Sequence, residues 1–346
     1  MYNKYSKPSA DIHQELEKMI PVNARRLQEQ RETVRILEHS EFRTHCVLCE
    51  KALKRSDVFT HRDVQYAVCG NCGHIQTRKL PPEGYPHHSK QALRFETIYT
   101  PATEADYQSR AVRIYQPKLD WLLHTASRCR HSAADLKHST WIDLGCGAGH
   151  FLWALKQAGI HRIHGFENNS HLRTTANQML GEEIVQAVPG RLHTTVSETD
   201  ADVWTAFFML EHLDRPARLF EALSKKRRGT LFCFAVPVFG FATLLESAAD
   251  GFFARQLDSV LHTQLYTDSS IQFVLAAYGY EPLGQWIFGQ DGCDLARMLS
   301  VALQNKYPAR LLSDVKERLF NLADGLQHVI DMAKFAETRH VLAVKQ

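Results

Sequence analysis

The first residues that suggest chemistry are four cysteines in two tight pairs, Cys46-x-x-Cys49 and Cys69-x-x-Cys72, with nineteen residues between the pairs. Two such pairs can supply four thiolates in a tetrahedron, the arrangement Zn²⁺ takes in structural sites, and four cysteines leave no position open for a substrate. Gly70 and Gly73 flank the second pair, where small residues let backbone amides face the sulfurs. His74 is a spare ligand candidate. A segment of roughly forty residues has little core of its own, so a bound metal would supply much of its stability.

The second cluster is Asp143-Leu144-Gly145-Cys146-Gly147-Ala148-Gly149. It follows a strand-like apolar run and opens a helical one. Glycines there let the backbone turn tightly against a ligand, and the free N–H groups of a helix N-terminus face it. Glu167 ends the next strand-like run, where a carboxylate can accept hydrogen bonds from both ribose hydroxyls of an adenosine. The spacing is G-x-G-x-G, not the G-x-G-x-x-G of dinucleotide sites. Asp143, two residues before the first glycine, suits an ammonium group and would repel a pyrophosphate.

The elements that must hold these residues follow from periodicity. Trp141–Leu144, Arg162–Phe166, Ile184–Ala187, Val203–Met209 and Thr230–Val236 read as strands, with helices Phe151–Ala158, His171–Leu180 and Pro216–Leu223 between them. Such alternation builds a doubly wound α/β sheet. Glu281–Phe288 and His340–Val344 read as two further strands. Between them lie Asp294–Leu303 and a longer helix from Leu311, with Val315, Leu319, Leu322, Leu326 and Val329 at spacings of three and four. Upstream, Leu27, Val34 and Leu37 give a surface helix one apolar stripe, and Tyr107, Val112, Tyr115, Leu119 and Leu122 recur at helical spacing. Pro81 to Pro86 is a linker by composition. Four units result: an N-terminal helical segment at 1–40, a zinc-binding module at 41–85, a helical linker and cofactor cover at 86–135, and the catalytic domain with C-terminal helical additions at 136–346.

Bulk properties narrow the partners. A net charge of +3 over 346 residues announces no nucleic-acid surface. Lys225 to Arg228 is the longest basic run and reads as a solvated turn before a strand. No stretch approaches the roughly 20 apolar residues that cross a bilayer, so no membrane partner is expected. The polar first twenty residues are no secretory leader, which makes the cytoplasm the expected compartment and metal ligation the expected use of paired cysteines. Cys129, Cys146, Cys233 and Cys293 are scattered and read as small buried residues. A homodimer is compatible with this composition.

The glycine loop resembles motif I of the class I S-adenosylmethionine-dependent methyltransferases. Phe207 to Pro216 resembles the fourth strand and following loop of the ubiquinone-type group, in which a Glu-His pair, here Glu211-His212, closes over the methionine end of the cofactor. His262 to Gly279 is similar to the segment before the sixth strand in that group, and His340–Val344 to its antiparallel seventh. The resemblance covers about residues 140–290 plus the last strand. It implies an α/β fold: a Rossmann-like, seven-stranded class I methyltransferase sheet with an N-terminal zinc ribbon and helical additions. It also implies S-adenosylmethionine as methyl donor. Asp143, Gly145, Cys146, Gly147 and Gly149 would hold it from the loop, and Phe166, Glu167 and Asn168 from the second strand. Met209 and Tyr107 would cover it, although amphipathic packing also accounts for Tyr107 and Arg110.

A zinc ribbon before this core further resembles the sugar C-methyltransferases that act on nucleotide-activated deoxysugars. Their ribbon helps form the substrate side of the site, and a Tyr-His-Glu-His segment after the fifth strand supplies the base. Here Leu261-His262-Thr263-Gln264 stands in that place, followed by Tyr266. Only His262 matches; Leu261, Thr263 and Gln264 replace the Tyr, Glu and second His. Losing the second histidine favours an oxygen or nitrogen acceptor, since a carbon nucleophile must first be deprotonated. His262 and His212 are the candidate bases, because imidazole titrates near neutral pH. Glu211 and Tyr266 are candidates for orienting the substrate or the base. Asp291 sits in a loop that reads equally as a substrate-facing edge or a simple turn.

Two acceptor classes follow. One is a small polar molecule, a nucleotide-linked sugar or a related natural-product intermediate. The other is RNA gripped by the ribbon. Residues 41–80 carry seven Lys/Arg against four Asp/Glu. Four thiolates on one Zn²⁺ would offset most of that excess, which favours the small molecule.

Overall fold

The structure is a computed structural model, and it describes residues 1–9, 16–54, 56–80, 100–128, 133–255, 262–304 and 306–346. The linker at 81–86, Cys129 and Leu261 lie outside these residues.

An eight-stranded sheet organises the chain. Its strands are β1 (Tyr2–Tyr5), β5 (Trp141–Leu144), β6 (Ile163–Phe166), β7 (Val185–Gln186), β8 (Val203–Phe207), β9 (Leu231–Pro237), β11 (Tyr280–Ile287) and β12 (Thr338–Lys345). Their order is β1-β11-β12-β9-β8-β5-β6-β7. The strands from β5 to β9 run parallel, and β12 is antiparallel to both β9 and β11. Seven of the eight are the expected class I strands. The eighth is β1, which pairs in parallel with the edge strand β11. Residues 2–5 lie within the N-terminal segment, 1–40, that the sequence reads as helical. The four residues Tyr2-Asn3-Lys4-Tyr5 do not alternate and are too few to separate a strand from an extended tail.

The parallel strands are buried on both faces, as Trp141, Ile142, Leu144, Val203, Trp204, Phe232 and Phe234 show. The order reverses beside β5, with β6 on one side and β8 on the other. At such a switch point the loops at the carboxyl ends diverge and leave a crevice. Helix His150–Gln157 follows β5 after the loop at 145–149, so its N-terminus lies beside this crevice.

A second sheet, of order β10-β4-β3-β2, holds the cysteine module: β2 (Asp57–His61), β3 (Val64–Val68), β4 (Ile75–Thr77) and β10 (Gln264–Leu265). Strand β10 comes from the catalytic half of the chain and pairs with β4, Gln264 opposite Gln76 and Leu265 opposite Ile75. The module is therefore woven into the enzyme. Cys46, Leu48, Leu53, Cys69 and Cys72 share one apolar cluster with Leu144, Trp204, Phe220, Phe234 and Tyr266. Helix Asn23–Glu38 lies on the module through Val34 and Leu37, which contact Val64, Tyr66, Ile75 and Leu265, as its apolar stripe implies.

The upstream helical stretch runs as Glu104–Arg110, a π-helical turn at Ala111–Tyr115, and Gln116–Ser127. Thr103 caps its start, its hydroxyl accepting from the Asp106 amide at 3.1 Å. At the other end, helix Ala309–Met332 turns Phe320, Ala323, Gln327 and Asp331 to the body. Its longer side chains Leu322, Leu326 and Val329 point outward, 61, 41 and 66% exposed. Asp291 is fully buried. It accepts from the Ala242 amide at 2.9 Å and the Gln327 side-chain amide at 3.0 Å, which ties helix Phe241–Ala248 to the C-terminal helices. The substrate-facing reading of Asp291 is thus corrected to a structural one. No helix among the described residues is long and apolar enough to cross a membrane.

Candidate active site

The glycine loop sits at the carboxyl end of β5, in the crevice. Gly145 has φ of +66°, and a Cβ there would lie 2.6 Å from Met209 Cγ, so the turn needs both the left-handed backbone and the missing side chain. The loop amides of Gly145 and Cys146 donate to the Phe166 carbonyl at 2.8 and 3.1 Å. Glu167 closes the turn: one carboxylate oxygen accepts from the Gly147 amide at 2.9 Å, the other from the Asn169 amide at 2.8 Å. Burial raises its pKa while these amides oppose the rise. Asn168 fixes the neighbouring loop by accepting from the Val188 amide at 3.0 Å.

Asp143 lies just beneath the loop. Its carboxylate accepts from the Thr205 hydroxyl at 2.6 Å, and burial pushes its pKa up to about 7. Tyr107, 1% exposed, stacks on His150 with ring centres 4.3 Å apart and packs against Ala148 of the loop. The structure thus gathers the loop residues, Phe166, Glu167, Asn168, Met209 and Tyr107 around one crevice.

The four cysteine sulfurs also converge, all within 4.8 Å of one another. Cys46 and Cys72 sulfurs are 3.7 Å apart, Cys49 and Cys69 sulfurs 3.6 Å. In a tetrahedral zinc thiolate with bonds of about 2.3 Å, sulfurs lie about 3.8 Å apart, so the donor set and its spacing fit that ion. Each pair is followed by the same turn. The Glu50 amide donates to the Cys46 carbonyl at 3.0 Å and the Gly73 amide to the Cys69 carbonyl at 2.8 Å, with φ of +56° at Glu50 and +73° at Gly73. His74 is engaged elsewhere, its Nε2 2.9 Å from Gln264 Oε1, and burial lowers its pKa to about 4.

Across the crevice, at the end of β8, the chain makes a sharp turn. Phe208 has φ of +55°, a costly conformation for a bulky residue and of the kind that collects at functional sites. The turn drops Met209 over Gly145 and starts the short 3₁₀ segment Leu210–His212. Glu211 is 1% exposed, and burial pushes its pKa up to about 8. His212 lies beside it, Nε2 to Oε1 4.0 Å. From the far side comes His262, its ring centre 5.1 Å from that of His212. Three of the four candidate catalytic residues therefore meet. Tyr266 stands behind them, fully buried and edge-on to His74 at 4.8 Å, and its hydroxyl has no hydrogen-bond partner among the described residues.

Two residues escaped the sequence reading. Gln264 is 1% exposed and joins three parts: its side-chain amide donates to the Leu213 carbonyl at 2.7 Å and the Leu210 carbonyl at 3.3 Å, while its oxygen meets His74. In the sequence it is visible only as a departure from the Tyr-His-Glu-His pattern. Lys118 is 4% exposed, its ammonium 4.8 to 5.0 Å from the ring centres of Tyr115, Phe207 and Phe208. Burial pulls its pKa down to about 7, opposed in part by Asp143. Its position was legible, since Lys118 precedes the buried Trp121, Leu122 and Thr125 by three, four and seven residues.

Residues 115–285 match a family described as a methyltransferase domain. Among solved structures the chain is similar to magnesium protoporphyrin IX methyltransferase from Synechocystis PCC 6803 with bound SAH, at 11% identity over 75% of this chain and 97% of that one, with a TM-score of 0.46. It is similar also to geranyl diphosphate C-methyltransferase from Streptomyces coelicolor A3(2), at 10% identity over 71% of this chain and 85% of that one, TM-score 0.40. A third likeness is the methyltransferase domain of bacterial CtHen1-C, at 15% identity over 66% of this chain and 97% of that one, TM-score 0.40. No curated protein matches the chain in sequence.

The matched domain, with its glycine loop at the switch point and its antiparallel last strand, is that of a class I S-adenosylmethionine-dependent methyltransferase. The chain is such an enzyme, with a four-cysteine module built into the side of its catalytic domain.

Proposed function

We propose that this enzyme methylates a small polar acceptor, a nucleotide-linked sugar or a related natural-product intermediate, on an oxygen or nitrogen atom. The observation that carries the reading is the convergence of Glu211, His212 and His262 beside the glycine-loop crevice, His262 on a segment that the cysteine module holds in place through the pairing of β10 with β4. One Zn²⁺ on Cys46, Cys49, Cys69 and Cys72 would make that wall rigid, and a reducing cytoplasm suits its free thiols. The RNA reading is weaker. Of the basic residues of the module, Arg43 is 6% exposed and Arg62 turns inward to Glu246, which removes both from a positive face.

S-adenosylmethionine supplies a methyl group already activated on a sulfonium. The protein's part is to hold the acceptor in line and take or pass on its proton. Glu167 is assigned the ribose hydroxyls, with Phe166 and Asn168 beside it; the loop and Asp143 are assigned the amino-acid end, under Tyr107 and Met209. His262 is assigned the acceptor's proton or its orientation, and His212 and Glu211 flank it. Gln264 and Tyr266 position that group.

The cofactor assignment is tested by Glu167→Ala. Calorimetry should show S-adenosylmethionine binding weakened by about 1–3 kcal/mol, the range for leaving polar partners unpaired in a buried site. An unchanged affinity would place the ribose elsewhere. The acceptor class is tested by screening nucleotide sugars and structured RNA for transfer of a labelled methyl group. Transfer to RNA alone would overturn the small-molecule reading.

A further inference from the structure

We propose that Glu211, His212 and His262 form a second metal site, distinct from the four cysteines, that takes a divalent first-row transition ion and presents it to the acceptor. The inference rests on the reading above, in which these residues face the acceptor. One ligand atom from each of the three lies within 4.8 Å of the others. Ligands on an ion with bonds of about 2.1 Å lie about 3 Å apart when adjacent and about 4.2 Å apart when opposite, so small side-chain rotations close the set. The two imidazole rings lie 5.1 Å apart, centre to centre, tilted by 34°, and Glu211 Oε1 stands 4.0 Å from His212 Nε2, so the three side chains face one space.

The carboxylate gives the independent sign. Glu211 is 1% exposed, and its Oε2 finds no hydrogen-bond partner among the described residues. A buried carboxylate oxygen without a donor is costly, and a cation is the partner that removes the cost. The two chain segments are held to one another by Gln264, which donates to the Leu210 and Leu213 carbonyls two residues beyond His262. One side of the cluster stays open: the His212 side chain is 27% exposed and His262 is half-buried. Three protein ligands with an open side are the pattern of a catalytic metal site, not a structural one. Two nitrogens and one oxygen suit Mn²⁺ through Zn²⁺, whereas Mg²⁺ prefers oxygen shells.

An ion there would do the work of the histidine that the sugar C-methyltransferase pattern has and this chain lacks. It would coordinate the acceptor hydroxyl and make its proton more acidic. That proton leaves to water, the oxygen forms a bond to the methyl carbon, the carbon–sulfur bond breaks, and the electron pair stays on sulfur. No oxidant or reductant is involved.

Manganese electron paramagnetic resonance on tag-free, zinc-replete enzyme tests the site, since four thiolates disfavour Mn²⁺. One Mn²⁺ should bind with Kd below about 100 μM. His212→Ala, His262→Ala and Glu211→Gln should each weaken it at least about tenfold, with S-adenosylhomocysteine affinity and melting temperature preserved as the check on folding. No bound Mn²⁺ at millimolar ion, or equal binding in the His212→Ala/His262→Ala double variant, would overturn the inference. If binding fails while His262→Ala still cripples methyl transfer, the metal falls and the proposed function stands. If Mn²⁺ binds as described while His262→Ala leaves transfer intact, the metal site stands, but its presentation of the ion to the acceptor falls with the proposed function.

Discussion

His262→Ala is expected to lower the methyl-transfer rate at least about 100-fold while leaving S-adenosylmethionine affinity within about threefold. General-base assistance or its equivalent is worth about 10²–10⁴-fold, and the residues assigned to the cofactor belong to β5 and the glycine loop, to β6 and the turn after it, to the Phe208 turn and to helix Glu104–Arg110, not to the segment of His262. The loss should therefore appear in turnover and not in binding. The assay is labelled methyl transfer to the acceptor found by the screen. A variant with near-parental turnover would remove His262 from the chemistry and leave His212, 5.1 Å away ring to ring, as the better candidate.

Breaking the cysteine cluster should have a larger and less selective effect. Purified enzyme is expected to hold about one equivalent of zinc by elemental analysis. Cys46→Ser/Cys69→Ser should lose it and melt more than about 10 °C lower, because structural zinc contributes on the order of 10 kcal/mol to small modules. The damage should reach the catalytic half, since Cys46, Cys69 and Cys72 share an apolar cluster with Trp204, Phe234 and Tyr266, and β4 is the pairing partner of the strand that follows His262. A double variant that melts like the parent and transfers methyl groups at the parental rate would refute a structural site.

Much of this architecture was legible in the sequence because its signals are local. Short, mostly apolar runs bounded by turn residues, such as Trp141–Leu144 and Leu231–Pro237, are strands buried on both faces. A G-x-G-x-G turn followed by Glu167 fixes its own geometry, and paired cysteines at this spacing have few uses. What stayed hidden depends on contacts between distant segments. Nothing near Gln264 says that its side chain bridges residues 51 and 54 positions away and His74 beyond them. The C-terminal helix shows the opposite failure. Leu322, Leu326 and Val329 have the spacing of a core stripe, yet the face turned inward is the one carrying Gln327 and Asp331. Those polar groups are held by a buried network around Asp291, Gln327 donating to both Asp291 and Asp331, and hydrophobic periodicity cannot see such a network.

A structure with S-adenosylhomocysteine bound tests the central claim most directly. It should place the ribose hydroxyls on the Glu167 carboxylate and the cofactor sulfur within about 8 Å of the His262 ring, close enough for an acceptor atom to sit between them. A sulfur farther than that from His262, or a ribose that does not meet Glu167, would contradict the account.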